Sequence, residues 1–221
     1  MKKIDWQMIT PQIREIFPSV IQIVSYSRNR WMLVFPNEAD NFLSTFNPLV
    51  KLIKKHKLNI PLIVSEQFIQ TSLDSYPLEF LDIQSDYTIL YAAEDVVLKL
   101  KFDKVDVRLQ IERELKSKWL LTRLTALQFN HKSKHLYSVL QDSFTSLIPV
   151  FKGFCFLSGV SINREQDKLL DCVEEILHTD VKIFRYLANQ KKAPSHLLIN
   201  NLFNDYIRVI NVCIDKIDTW K

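Results

Sequence analysis

The stretch that decides the predicted fold is Leu73-Asp74-Ser75-Tyr76-Pro77-Leu78-Glu79-Phe80-Leu81-Asp82-Ile83. Pro77 favours an extended conformation for Tyr76 before it, and the apolar residues that follow predict a strand over residues 78–83. Because side chains alternate along a strand, Glu79 and Asp82 would point to opposite faces of a sheet. This strand closes one half of the chain, and a long helix begins about twenty-five residues later.

The residues on either side of this stretch predict a small sheet with helices. Runs rich in β-branched and aromatic residues predict further strands at residues 20–26, 30–35, 60–64 and 87–91. Helical spacing of apolar residues predicts helices over 4–17 and 37–57. Ser65 is typical of the N-cap of a brief helix. The N-terminal half is therefore predicted to be a mixed α/β domain.

After Asp103 the apolar residues recur at helical spacing, and they do so to the end of the chain. Predicted helices span residues 106–129, 133–157, 164–178, 181–190 and 195–221. Four or five helices of this length pack as a bundle. We therefore predict an α+β chain with a sheet domain over residues 1–102 and a helical bundle over residues 103–221.

The bulk composition is that of an ordinary globular protein. Of 221 residues, 47% are hydrophobic and 24% are charged. The start lacks the apolar core of a signal peptide, and no run approaches the ~18–20 apolar residues of a membrane span. We therefore predict a cytoplasmic protein that does not associate with a membrane.

The net charge and the cysteines exclude few further classes of partner or site. Net charge is +4, and the excess lies after residue 104, where 17 basic residues face 13 acidic ones. This permits an anionic partner, but it only weakly supports nucleic acid, whose binding proteins usually show a stronger basic stripe. Cys155, Cys172 and Cys213 lie far apart without ligand spacing for zinc, and they are predicted to be buried thiols.

Glycine is the most informative residue type. The chain has two, Gly153 and Gly159, and none among the first 152 residues. Loops that cradle phosphates need glycine because the backbone must approach the phosphate without a Cβ. The N-terminal half therefore contains no P-loop and no dinucleotide-binding fingerprint.

Four segments between residues 61 and 123 carry a resemblance to a known family. They are Pro61-Leu62-Ile63, the stretch of residues 73–83, Leu90-Tyr91-Ala92-Ala93-Glu94-Asp95, and Arg108-Leu109-Gln110-Ile111-Glu112-Arg113-Glu114-Leu115-Lys116-Ser117-Lys118 with Arg123 beyond it. In this order they resemble bacterial proteins with the nucleotidyltransferase fold of the DNA polymerase beta superfamily, followed by a helical domain. The resemblance implies a small mixed sheet flanked by helices, with a cleft between sheet and bundle.

The resemblance also implies a metal site that this sequence does not carry. Active members have a Gly-Ser turn after the first strand, two carboxylates on the next strand and a third on a later one, which together hold two divalent metal ions. Here the turn contains no glycine, and Arg28 and Arg30 stand where the first two carboxylates are expected. Only the third carboxylate remains, as Glu79. A single carboxylate does not hold a catalytic Mg²⁺ unless the substrate supplies most of the ligands, so this departure from the family pattern predicts that the protein has no cofactor.

Several charged residues are candidates for the site around this former metal centre. Glu79 is predicted either to pair with Arg28 or Arg30 or to be a solvated carboxylate. Asp74 is predicted to be a turn or cap residue, and Asp82 a partner of a basic residue.

A charged stripe lies on the predicted helix that begins at Asp106. Its members, at steps of three to four residues, include Arg108, Glu112, Lys116 and Arg123. The stripe is either an anion-contacting face or a ladder of salt bridges within the helix.

These observations lead to three functional hypotheses. The first is a non-catalytic, nucleotidyltransferase-like protein that binds a protein partner or a small anionic ligand at the cleft between domains. The second is a transferase that uses Mg²⁺ through the rearranged carboxylates Asp74, Glu79 and Asp82. The third is a structural or self-associating module, which an extensive apolar surface on the helical half would support.

Overall fold

The computed structural model describes residues 4–27, 29–129, 133–190 and 192–220. They form an α+β fold with one four-stranded sheet, as the sequence predicts. The chain divides into two compact units. The sheet unit comprises Met1–Asp74 and Asp82–Lys101, and the helical unit comprises Ser75–Leu81 and Phe102–Lys221.

The helices and strands of the sheet unit lie close to their predicted positions. Its elements are α1 (Trp6–Ile16), β1 (Gln22–Tyr26), β2 (Arg30–Phe35), α2 (Phe42–His56), β3 (Leu62–Ser65), α3 (Glu66–Thr71) and β4 (Tyr87–Ala92), with a short 3₁₀ helix at Val97–Lys99. Ser65 caps α3 as predicted, because its Oγ accepts a hydrogen bond of 3.0 Å from the backbone N–H of Phe68. Helix α2 begins five residues later than residue 37, with Asn41 as its N-cap.

The sheet is mixed, with strand order β3-β2-β1-β4. Strand β1 pairs antiparallel with both β2 and β4, and β2 pairs parallel with β3. The β1–β2 hairpin is closed next to Ser27 and Asn29, both with positive φ. The five residues from Trp31 to Phe35 are all buried, which confirms the prediction of an internal strand.

Five helices make up most of the helical unit. They are α5 (Lys104–Gln128), α6 (Ser133–Leu157), α7 (Gln166–Leu177), α8 (Lys182–Asn189) and α9 (His196–Asp218). All five lie within a few residues of the predicted helices, and they share one apolar core. In this core the ring centroid of Phe184 lies 5.0 Å from that of Phe151 and 5.8 Å from that of Tyr206.

The predicted strand over residues 78–83 is wrong, because Pro77–Ser85 forms a helix, α4. Pro77 is the first helical residue, a position where the missing N–H costs nothing and the fixed φ suits a helix. Glu79 lies in the first turn, where the helix dipole favours an acidic side chain. Glu79 and Asp82 therefore occupy adjacent turns of one helix and do not project from opposite faces of a sheet.

Candidate anion-binding pocket

A pocket of about 560 Å³ lies within the helical unit, at the start of α5 and the ends of α6 and α9. The residues that line it are Lys104, Val105, Arg108, Leu157, Lys216, Thr219 and Trp220. Three of these seven residues are basic and none is acidic. The lining therefore carries positive charge beside apolar surface.

The start of α5 supplies two of the basic residues. Asp103 is the N-cap, and its Oδ1 accepts a hydrogen bond of 2.7 Å from the backbone N–H of Val105. Lys104 is the first residue of the helix, and its Nζ donates to the carbonyl oxygen of Leu157 at 3.5 Å. Because residues four apart lie on one side of a helix, Lys104 and Arg108 face the pocket together.

Arg108 is held in place from two directions. Its Nη1 donates to Oε2 of Glu112 and to the carbonyl oxygen of Ile217, both at 3.2 Å. The second bond ties α5 to the last turn of α9, where the Ile217 carbonyl oxygen also accepts from the backbone N–H of Trp220 at 3.2 Å. A guanidinium carries five N–H donors, so these two bonds fix the group while leaving it capacity to bind an anion.

The end of α9 supplies a cation and an aromatic wall. Lys216 Nζ lies 5.6 Å from the ring centroid of Trp220. The Trp220 indole is half-buried, and its ring centroid lies 6.3 Å from that of Phe154 in the core. A cation over an indole face is a favourable contact, and it places the charge of Lys216 next to a flat apolar surface.

Two carboxylates lie beside the lining. Lys116 Nζ contacts Oε1 of Glu112 at 2.6 Å and Oδ1 of Asp218 at 2.9 Å. These bonds, chiefly the one to Glu112, raise the pKa of the Lys116 ammonium. Arg108, Glu112 and Lys116 thus form the ladder within α5 that the sequence offered as one interpretation of the stripe, and Asp218 of α9 extends it.

Of the predicted stripe, only Arg108 lines the pocket. Glu112 and Lys116 belong to the ladder. Arg123 lies four residues after Trp119, and its guanidinium carbon sits 4.2 Å from the centroid of that ring. Arg123 is exposed to solvent, and it is not among the residues that line the pocket.

The described residues that the resemblance suggested as a site lie elsewhere than this pocket. Glu79 is exposed, and its Oε2 accepts a hydrogen bond of 2.7 Å from Nε2 of Gln110. Arg28, one of its predicted partners, lies outside the described residues. Arg30 is exposed at the start of β2. Burial raises the pKa of the neighbouring Tyr26 hydroxyl, and the charge of Arg30 opposes that shift.

The predicted carboxylates do not assemble a metal site within the part of the chain that the structure describes. Asp74 is exposed and Asp82 is buried, and both take part in polar contacts. Among the described residues, no group of three or more His, Cys, Asp or Glu side chains could hold a metal ion. The hypothesis of a transferase with Asp74, Glu79 and Asp82 as ligands therefore gains no support.

The helical unit also exposes apolar side chains. On the second half of α5, four leucines are between 56% and 79% exposed: Leu120, Leu121, Leu124 and Leu127. This is the kind of surface that the hypothesis of a self-associating module requires. No helix in the described ranges combines the length and the apolar character needed to cross a membrane.

The sequence missed most of the pocket. Lys104 and Lys216 are separated by more than a hundred residues, and only the packing of α5 against α9 brings them to one place. A local signal existed at each end, because Lys104 with Arg108 and Lys216 with Trp220 are both spaced by four residues. Nothing in the sequence indicates that these two pairs meet.

Comparisons of the chain with protein-family models, with curated proteins and with solved structures found no match.

Proposed function

We propose that this protein binds a small anionic ligand in the pocket of the helical unit and that it is a non-catalytic, nucleotidyltransferase-like protein. The observation that carries the proposal is the lining itself, which holds Lys104, Arg108 and Lys216 and no carboxylate. Three cations around one pocket repel each other, and an anion removes that repulsion.

The charges of the lining are only partly balanced by the protein. Glu112 contacts both Arg108 and Lys116, so its single negative charge is shared between two cations. Asp218 contacts Lys116 and not the cations of the lining. At an effective dielectric constant near 20, an anion 4 Å from one cation gains about 4 kcal/mol of gross Coulomb energy, which acts against the cost of association.

The shape and chemistry of the pocket narrow the ligand class. A volume of about 560 Å³ lies within the usual range for small-molecule sites. The planar fork of Arg108 matches a phosphate or carboxylate group. The half-buried indole of Trp220 offers a surface on which an apolar or aromatic part of the ligand could stack. The ligand that fits is a small organic phosphate or carboxylate.

Two features of the sequence speak against transfer chemistry. Residues 1–152 contain no glycine for a phosphate-binding turn, and Arg28 and Arg30 stand where the resemblance implies carboxylates. The matching assay incubates the full chain with Mg²⁺ and each of four labelled nucleoside triphosphates. We expect no transfer, and robust turnover that Glu79→Gln abolishes would contradict this part of the proposal.

Calorimetric titration of the full chain with pyrophosphate and with ATP tests the binding. We expect Arg108→Ala and Lys216→Gln each to weaken binding about tenfold, which corresponds to about 1.4 kcal/mol. Arg108→Lys keeps the charge and loses the planar fork, so it should weaken binding less than Arg108→Ala does.

The matched control is Arg123→Ala, which removes an arginine of the same helix outside the pocket. It should leave the affinity unchanged. Thermal melts identify any variant that loses its fold, and Lys216→Gln covers the case in which Arg108→Ala does so. An equal loss of affinity in Arg123→Ala, or no binding of either anion at millimolar concentration, would overturn the proposal.

A further inference from the structure

Two of the three cysteines meet across a pair of helices in the helical unit. Cys155 lies near the end of α6, and Cys172 lies in α7. Their Sγ atoms are 2.8 Å apart, and both thiols are free. Spacing along the sequence did not suggest this contact, since seventeen positions separate the two residues.

The distance between the two sulfurs is not much longer than a covalent bond. A disulfide joins sulfurs at about 2.05 Å, so the two Sγ atoms need to move only about 0.8 Å closer. Neighbouring residues of both helices, Phe154 of α6 and Val173 of α7, belong to the same apolar core. The backbone on each side is therefore held in place by packing, and the two sulfurs stay together without any ligand.

The two cysteines differ in their exposure to solvent. Cys155 is fully buried, whereas Cys172 is only partly buried. Burial, followed by the hydrogen bond to Cys172, raises the pKa of the Cys155 thiol. An oxidant dissolved in water therefore reaches Cys172 first, and Cys155 is placed to react second.

We propose that Cys155 and Cys172 form a reversible disulfide when the protein meets a hydroperoxide. In the first step, the thiolate of Cys172 attacks the peroxide oxygen, the O–O bond breaks, and Cys172 becomes a sulfenic acid as hydroxide leaves. In the second step, the thiol of Cys155 attacks the sulfenic sulfur, gives up its proton, and water leaves. The net reaction converts two thiols and one hydrogen peroxide into one disulfide and two waters.

The second step is favoured by proximity and slowed by burial. A thiol held against the sulfenic sulfur reacts as within one molecule, which replaces a bimolecular encounter. Little of Cys155 is ionised, because its pKa is raised, and thiolate is the reactive form. We therefore expect slow but complete conversion, and a disulfide that ties α6 to α7 and stabilises the helical unit against heat.

Peptide mapping of the full-length native protein tests this proposal. The protein is treated with hydrogen peroxide, its remaining thiols are blocked with an alkylating agent in denaturant, and it is digested without reductant. We expect a cross-linked pair of peptides that contain Cys155 and Cys172, lighter by two hydrogen atoms than the sum of the two. Dithiothreitol should restore both thiols, and the oxidised protein should melt at a higher temperature than the reduced one.

Cys213 provides the matched control, because it is a buried thiol of the same unit. Cys213→Ser should keep both the cross-link and the rise in melting temperature, and Cys172→Ser should lose both. In Cys155→Ala, the sulfenic acid of Cys172 should accumulate and be trapped by dimedone. Recovery of all three cysteines as alkylated thiols after peroxide treatment, or a cross-link between two chains, would overturn the proposal.

Discussion

At the scale of single residues, one buried glutamine organises an end of the sheet. Gln22 is fully buried in β1, and its Nε2 donates to Oδ1 of Asp95 at 2.7 Å. Its Oε1 accepts from the backbone N–H groups of Val96 and Val97 at 3.0 and 3.2 Å. Tyr87 donates its hydroxyl proton to Oδ2 of Asp95 at 2.9 Å. The carboxylate of Asp95 therefore links β1 and β4 through two side chains.

Tyr87 should make stability depend on pH in the alkaline range. Burial, followed by the hydrogen bond to Asp95, raises the pKa of Tyr87 from 10.0 to about 12. Since the folded protein holds this proton more tightly than the unfolded chain, the stabilisation is complete below pH 10 and is lost between pH 10 and about 12. Solvent reaches part of the side chain and screens the effect, so we expect a loss of roughly 1 kcal/mol. Urea unfolding across this range measures it.

Tyr87→Phe isolates the contribution of the hydroxyl group. The variant should be less stable than wild type at pH 8, and the difference should shrink as pH rises toward 12. Asp95→Asn keeps an acceptor but removes the charge, so it should narrow the window. Parallel loss of stability in wild type and Tyr87→Phe would show that the Tyr87–Asp95 bond does not set this pH dependence.

The residues that sequence could place are those whose surroundings are local. Ser65 is an N-cap because its partner is three residues away. The buried run of β2 is recognisable because five consecutive apolar residues need both faces covered. Gln22 gave no such signal, because its partners lie more than seventy residues further along the chain. The sequence likewise gives no signal for the contact between Cys155 and Cys172, because seventeen positions separate them.

At the scale of elements, α4 shows how burial hides a helix. Four of its apolar residues, Leu78, Phe80, Leu81 and Ile83, are all buried. A helix that is apolar on most of its surface loses the 3.6-residue pattern, and a short apolar run then resembles a strand. The sequence does indicate where the helix starts, because Pro77 followed by Glu79 is typical of a first turn.

Gln110 of α5 completes the start of α4. It is buried, its Oε1 accepts from the backbone N–H of Leu78 at 2.8 Å, and its Nε2 donates to Glu79. Gln110→Leu would leave the N–H of Leu78 unpaired in a buried place. An unsatisfied buried group costs about 1–3 kcal/mol, and we expect the free energy of unfolding, measured in urea, to fall by about 2 kcal/mol.

Two variants separate the two bonds of Gln110. Glu79→Gln affects only the exposed partner, and it should cost less than 0.5 kcal/mol, as surface substitutions usually do. Gln110→Glu keeps an acceptor for the N–H of Leu78 but places a second carboxylate beside Glu79. That variant should therefore gain stability as pH falls and the carboxylates take up protons. If Gln110→Leu unfolds at the same urea concentration as wild type, Gln110 does not stabilise α4.

At the scale of the whole molecule, the helical unit is discontinuous in sequence. Residues 75–81 belong to it together with residues 102–221. Leu78 is 1% exposed and lies in the same core as Ile111 of α5. Gly153 of α6 makes room for it, since a Cβ there would lie 2.6 Å from Cδ2 of Leu78. The change of period near Asp103 predicts where the long helices begin, but no local pattern indicates that an earlier segment joins them.

This arrangement predicts which part of the molecule depends on Leu78. Leu78→Ala opens a cavity among helices α4, α5 and α6, and such a change typically costs 2–5 kcal/mol. We expect hydrogen exchange in the full-length protein to show weaker protection of the core amides of α5 and α6. The amides of β1 and β2 should keep their protection, because Leu78 is counted in the helical unit.

The reciprocal variant is Leu33→Ala, which removes a fully buried leucine of β2 from the core of the sheet unit. It should weaken the protection of the strands and leave that of α5 and α6 unchanged, since units with separate cores can open separately. The pair of variants has the same change in chemistry and differs only in location. If each variant weakens protection equally in the strands and in the long helices, the chain unfolds as one cooperative body. In that case residues 75–81 would support the whole protein and not the helical unit alone.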